Sequence, residues 1–372
     1  MKIAIIGSRG YPYVYSGYET FVKELSERLV KRGVEVRVYC HRGLFENRPA
    51  KVNGIELVYL PSIETKILSQ LSHSFLAMVH CCFSRSVSHI LVVNTANGPF
   101  GLISRLLMKP TAINLDGMEW LRPKWRGLGA RYFYFASWLS TLLYDRLVND
   151  SEEMRKVYLD LFKKESTVIA YGANIRESKN PALIQKWDLT PGGYYLIVGR
   201  LIPDNNSDIV LKGFLKSTSN RKLVIVGDVP FQDEFARQMK AEAEKDDRII
   251  MTGYVTDQEE LAELYHNTYC YIHGHEFGGT NPTMLKAMAY GSAILALDTK
   301  FTREMLQGDD FGLFFRKSET SVTDLINDLE NGPDLVESYR LKIRRALTKK
   351  YDWDHVTDQY LSLFQEMTNS SP

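Results

Sequence analysis

The chain has 372 residues, enough for two domains with separate cores, and 44% hydrophobic with 24% charged residues excludes a disordered or fibrous chain. Its net charge of +1 conceals an asymmetry: 23 Lys+Arg against 15 Asp+Glu through Ile175 (23 − 15 = +8), then 23 against 30 (23 − 30 = −7). The basic half suits an anionic surface such as lipid headgroups, or a nucleotide, and no nucleic-acid partner is expected. The four cysteines, Cys40, Cys81, Cys82 and Cys270, have neither metal-ligand spacing nor the density of a secreted scaffold, so they read as reduced thiols in a cytoplasmic chain. The opening MKIAIIG is too short for a signal peptide, and LSQLSHSFLAMVHCCF falls short of a spanning length, so membrane contact is expected to be peripheral.

Along the chain, short β-branched runs alternate with amphipathic stretches. KIAIIG, ending at Gly7, opens the first half, followed by VEVRVYC, IELVYLP, HILVVNT, AINLDG, RLVND and STVIAYG. The first helix should follow Ser16-Gly17-Tyr18-Glu19, which has capping-box spacing, carry Phe21, Val22, Leu25, Leu29 and Val30 on one face, and stop at Gly33. After RESKNPALIQKWDLTPGG come YYLIVG (ending at Gly199), KLVIVGD, RIIMTGY, CYIHGH, AILALD and GLFF. The pattern predicts two parallel sheets covered on both faces: a first domain over 1–178, a second over 190–352, and a helix over 353–372 that can pack on either. Ligands of open α/β sheets bind at strand carboxyl ends, which places the expected site in a cleft between the two.

Several motifs fall at those ends, and each also has a plain structural explanation. GSRGYPYVYSGYE lacks the GxGxxG spacing of a dinucleotide fold; Gly17 either lets a diphosphate approach the backbone or serves a turn. In NLDGMEWLRPKWRG, Asp116 and Glu119 suit sugar hydroxyls or a proton in transit, and Trp120 and Trp125 among Arg122 and Lys124 suit a sugar platform or a membrane anchor; a solvated loop is the alternative. Arg200 in VGRLIPDNN is a phosphate clamp or a surface ion pair. In HEFGGTNPTMLKAMAYG, Thr280 or Asn281 can cap a helix begun by Pro282, with Gly278 and Gly279 bringing backbone N–H groups toward a phosphate. Met284, Leu285, Ala287 and Met288 read as the buried side of that helix. His273 and His275 share a strand face but lack a third ligand, so no metal is expected. Arg131 to Arg146, with ILSQLSHSFLAMVHCCF, reads either as an amphipathic surface resting on lipid or as ordinary buried helix, the latter slightly favoured for Arg131 to Arg146.

Together these segments resemble the retaining GT-B glycosyltransferases, in the bacterial branch that includes rhamnosyltransferases of cell-wall and capsule assembly. DGMEW…R…KW and HGH…GGTNP carry the resemblance most specifically. It implies two Rossmann-like, doubly wound domains facing a cleft, the second holding most of a nucleotide-sugar and the first the acceptor side, with the last helix returning to the first domain. It further implies no cofactor and no metal, since basic side chains and a helix N-terminus neutralise the diphosphate. By the same resemblance Asp116 and Arg200 are catalytic. Gly17, Arg200, Asn205, His275, Glu276, Gly278, Gly279, Thr280, Asn281 and Lys286 bind the donor, and Glu119, Trp120 and Arg122 the acceptor. The expected reaction moves a deoxyhexose, L-rhamnose from dTDP-rhamnose, with retention to a lipid-diphosphate-linked saccharide at the cytoplasmic membrane face. The chain departs from wider relatives at three places: Asn205 stands where they carry lysine, and Gly278 and Lys286 where they carry two glutamates eight apart. Lys286 cannot accept bonds from ribose hydroxyls as the second glutamate does; turned toward the diphosphate, it would replace the cation missing at Asn205. A nucleotide-sugar epimerase or hydrolase on the same scaffold, and a non-catalytic sugar-nucleotide-binding protein, remain alternative readings.

Overall fold

A computed structural model describes residues 1–12, 17–65, 68–115, 117–123, 125, 127–229 and 233–369. Eight strands form one sheet in the order β3-β4-β2-β1-β5-β6-β7-β8: β1 (Lys2–Ile6), β2 (Glu35–His41), β3 (Lys51–Val52), β4 (Ile55–Leu60), β5 (His89–Val93), β6 (Thr111–Leu115), β7 (Arg146–Asn149) and β8 (Thr167–Val168). Six more form a second sheet, ordered β11-β10-β9-β12-β13-β14: β9 (Tyr194–Val198), β10 (Lys222–Val226), β11 (Ile249–Gly253), β12 (Cys270–His273), β13 (Ile294–Leu297) and β14 (Leu313–Phe315). Every pairing is parallel except β3 with β4. β3, two residues long, is the strand that alternation did not foreshadow.

The first sheet is accompanied by α1 (Gly17–Lys31), α2 (Leu68–Phe83), α3 (Gly101–Leu106), α4 (Leu128–Leu143) and α5 (Glu152–Phe162). The second has α6 (Ser207–Leu215), α7 (Glu234–Ala243), α8 (Gln258–Asn267), α9 (Pro282–Ala289), α10 (Lys300–Leu306), α11 (Glu319–Asn331) and α12 (Pro333–Lys342), and α13 (Trp353–Asn369) ends the described chain. The central strands are buried on both faces, Ile3 to Ile6 and Leu223 to Ile225 being inaccessible, which is why they read as continuous apolar runs. The expected face of α1 is buried at Phe21, Val22, Leu25 and Leu29 and half-buried at Val30, and Gly33 follows it with φ +79°, a backbone conformation that L side chains rarely adopt. Ser16, assigned to its cap, lies outside the described residues.

The chain forms two compact units, Met1–Gly172 with Lys349–Pro372, and Ala173–Thr348. α13 therefore completes the first unit. Phe21 of α1 packs its ring 5.4 Å from Tyr360 and 5.3 Å from Tyr171. Asn114 donates to the Tyr360 hydroxyl at 2.9 Å, and Arg32 pairs with Asp354 at 3.1 Å and Asp358 at 2.8 Å. A side chain at Gly172 would collide with the Trp353 indole, so the glycine permits that docking. Burial of Phe21, Tyr360 and Phe364 stabilises the joint by about 2 kcal/mol per side chain.

Candidate active site

In each sheet the strand order reverses beside its first strand, between β1 and β5 and between β9 and β12. Chain leaving two neighbouring strands in opposite directions opens a crevice at their carboxyl ends, where open α/β sheets bind ligands. The motifs HEFGGTNP and VGRLIPDNN leave β12 and β9, at the reversal point of the second unit.

There the two loops are tied together. Asn205 donates its amide N–H to the Arg200 carbonyl oxygen at 2.8 Å, and its Oδ1 lies 2.8 Å from His275 Nδ1. An amide oxygen only accepts, so this bond fixes the His275 proton on Nδ1. Asn206, buried and at φ 50°, donates to the Gly274 carbonyl at 2.8 Å, while Glu276 N–H donates to the Asp204 carbonyl at 3.1 Å. A Cβ at Gly274 would collide with the Asn205 carbonyl oxygen, so the close approach of the loops requires glycine. Arg200 is exposed beside this bracket. The carboxylate of Glu276 pairs with Lys317 at 2.5 Å.

The second loop runs through Gly278, at φ +134°, and half-buried Phe277 to buried Gly279 and Thr280. Asn281 is the cap of α9, accepting from Thr283 N–H at 3.0 Å, and Pro282 is its first residue. The Thr283 hydroxyl donates to Asn281 at 2.8 Å and accepts from Tyr271 at 3.1 Å, anchoring the cap to β12. Met284, Leu285, Ala287 and Met288 are buried beneath. His273 is buried against the Tyr271 hydroxyl at 3.2 Å, and burial pushes its ring down to about 3. Among the described residues, no cluster of three or more His, Cys, Asp or Glu could hold a metal ion.

Lys286 lies one turn into α9, half-buried, with no ion pair or side-chain hydrogen bond among the described residues. Burial first, and the Arg176 guanidinium second, hold its amine below the usual range. Arg176 is itself bound to Glu259. Two cations thus share this flank with one carboxylate, an arrangement that would stabilise a further anion. A surface pocket of about 480 Å³ opens at the carboxyl ends of β10 and β11, lined by Gly227, Asp228, Thr252 and Gly253; no sequence-predicted donor residue lines it.

In the first unit, Gly17 is the first residue of α1. The loop after β1 is bracketed by Arg9 N–H donating to buried Glu19 at 3.0 Å and by Gln70 donating to the Gly7 carbonyl at 2.7 Å. Asp116 and Lys124 lie outside the described residues. Glu119 pairs with Arg122 at 2.9 Å and accepts from the Trp125 indole at 2.9 Å. Trp120 sits edge-on to Tyr134, Tyr158 and Phe162, with centroids 5.9 to 6.3 Å away, so packing holds its ring. Sequence reasoning missed one pair at a strand carboxyl end. His41, last in β2, stacks on His73 of α2 at 3.8 Å, both rings buried and pushed down to about 3 and about 4, chiefly by burial. Two isolated histidines 32 positions apart, one on a strand and one on a helix, left no local signal.

Two sheets of this order, each reversing beside its first strand, have the GT-B fold. Residues 164–347 match the family described as glycosyl transferases group 1, and residues 1–174 match a domain of unknown function. Among solved structures, sucrose-phosphate synthase from Thermosynechococcus elongatus is similar with a TM-score of 0.84 and 16% identity, over 100% of both chains. HepE from Anabaena in complex with UDP-glucose gives a TM-score of 0.78 and 14% identity over 98% of this chain and 100% of the other. The lipopolysaccharide outer core galactosyltransferase WaaB gives 0.66 and 15% over 98% and 100%. Comparison with curated proteins finds no match.

Proposed function

We propose that this protein transfers a deoxyhexose, L-rhamnose from dTDP-rhamnose, with retention to a lipid-diphosphate-linked saccharide. The observation that carries the reading is the bracket joining the Arg200–Asn206 and Gly274–Glu276 loops beside the capped N-terminus of α9. In this reading the backbone around Gly278, Gly279 and Thr280 and the Arg200 guanidinium hold the donor diphosphate. They stabilise the negative charge that grows on the leaving phosphate as the glycosyl bond breaks. The acceptor hydroxyl attacks the anomeric carbon from the face the diphosphate leaves, and the leaving phosphate oxygen takes its proton. Asp116 and Glu119 would orient the sugar and the acceptor hydroxyl.

Thermal-shift titration with dTDP-, UDP- and GDP-sugars tests the donor. A ligand that binds only the folded state stabilises it by RT ln(1 + [L]/Kd), about 2.7 kcal/mol at a hundredfold excess over Kd, and so raises the melting temperature. The dTDP-sugar is expected to give the largest shift; no shift with any sugar nucleotide overturns the assignment. Donor incubated alone then separates an epimerase, which yields an isomer, from a transferase, which needs acceptor.

A further inference from the structure

Three helices of the first unit are inside out for a protein surrounded by water. α4 buries Ala136, Ser137, Ser140 and Thr141 together with Phe133. It exposes Phe135, Trp138 and Leu142, at helical spacing on one stripe, Trp138 to 42%. α3 buries Gly101 and Ser104 and exposes Leu102 to 50% and Leu106 to 72%. α2 buries His73, Ser74, Ala77 and two cysteines beside Met78, and exposes Phe75, Leu76 and Phe83, the last to 72%. The buried hydroxyls are satisfied within their own helices: Ser104 donates to Gly101 at 3.0 Å, Ser137 to Phe133 at 2.9 Å, Ser140 to Ala136 at 2.8 Å.

These stripes adjoin. α3 packs against both α2 and α4. A Cβ at Gly101 would come within 2.9 Å of Leu143 Cβ, and Arg105 donates to the Leu142 carbonyl at 3.3 Å. At the other side, Lys109 donates to the Ser84 and Val87 carbonyls at 3.0 and 2.9 Å, joining the ends of α3 and α2 beside Met108, which is 88% exposed. An adjoining set of large apolar side chains exceeds the scattered exposure usual on a monomer.

Charge identifies the occupant. From Leu68 to Tyr144 the acidic residues are Asp116 and Glu119, against seven lysines and arginines, and α2, α3 and α4 contain no carboxylate at all. Arg85, Arg105 and Arg131 are exposed on or next to these helices, and none is ion-paired among the described residues. An apolar face whose margin is mainly basic, with Asp145 past the end of α4 the nearby exception, complements apolar chains beneath anionic headgroups. No described helix is long and apolar enough to cross a membrane, so the helices would lie along the surface. We propose that the α2–α3–α4 face docks the protein on an anionic lipid bilayer. The inference deepens the lipid-linked acceptor reading and rests on it for its purpose, but vesicle binding needs no turnover.

The test is flotation of the full chain with phosphatidylcholine vesicles, with and without phosphatidylglycerol. The protein is expected to float with the anionic vesicles, and the Leu106→Glu/Trp138→Glu variant to lose about tenfold or more of that binding. Because both side chains already face solvent, that variant should melt like the parent and keep its sugar-nucleotide thermal shift. Arg85→Gln/Arg131→Gln should bind more weakly, with a shallower salt dependence. The docking face is overturned if the parent stays behind with both vesicles, or if the glutamate variant floats equally well. It is also overturned if sedimentation shows the parent as a dimer that the variant disrupts, which would make the face a protein interface. Loss of vesicle binding with an intact donor shift leaves the transferase assignment standing, and the converse result sinks the transferase alone.

Discussion

At the scale of single residues, the departures from the wider glycosyltransferase pattern have separate fates. Asn205, where the resemblance leads one to expect lysine, commits its amide to Arg200 and His275, so it contributes position rather than charge. Lys286, where the resemblance leads one to expect glutamate, is a half-buried amine beside Arg176 and makes no ion pair among the described residues. Lys286→Glu should therefore weaken donor binding at least about tenfold, roughly 1.4 kcal/mol, measured by calorimetric titration. The parent's affinity should fall with added salt and, because the amine is held below its usual range, should decline at a lower alkaline pH than an ordinary lysine would give. The stacked histidines make a second prediction. Their folded-state values of about 3 and about 4 lie below the ordinary 6.5, so between those limits the unfolded chain takes up protons that the folded chain excludes. Stability is then full above about pH 7 and lost as pH falls through 6.5 toward 4. Melting curves should drop on going from pH 7 to pH 5, less so in His41→Asn/His73→Gln, while the parent's buried imidazole NMR signals stay untitrated above pH 5. Local structure confined to adjacent residues, such as the Asn281–Pro282 start of α9, was legible in the sequence. The Asn205–His275 bond was not, because 70 positions separate partners that only the β9–β12 pairing brings together.

At the scale of elements, local patterns were legible where burial is one-sided or complete. The central strands showed because both their faces are apolar, and the start of α9 showed because Asn-Pro leaves little else to do. Asn281→Ala should cost about 1 kcal/mol of stability, read as a lower melting temperature. Gly274→Ala tests the loop bracket: its Cβ has no room against Asn205, so the loops must separate and donor binding should fall about tenfold or more in the same titration. α4 shows where periodicity misleads. Its aromatic stripe suggested a core-facing side, yet the structure turns that stripe outward, since only Ala, Ser and Gly allow the approach seen at Gly98, where a Cβ would collide with the Ala136 carbonyl. Glu119 and Arg122, read from the sequence as acceptor ligands, pair with each other at 2.9 Å, a contact that residue types alone did not reveal.

At the scale of the whole molecule, two Rossmann-type sheets were legible from the repeated strand–helix rhythm, whereas the destination of α13 rested on resemblance, because its apolar face fits any sheet. Removal of residues 349–372 should leave Phe21 and Tyr171 uncovered in the first unit. Limited proteolysis of such a truncation is expected to degrade the first unit while the 173–348 unit stays resistant; equal resistance of both would show α13 to be dispensable. The same connectivity bears on birth of the protein. During translation the first sheet emerges early but waits, with a bare aromatic surface, while the intervening unit is made and folds. A slow ribosome would lengthen that wait, so this protein's yield in a cell should depend on holdase chaperones more than its final stability suggests.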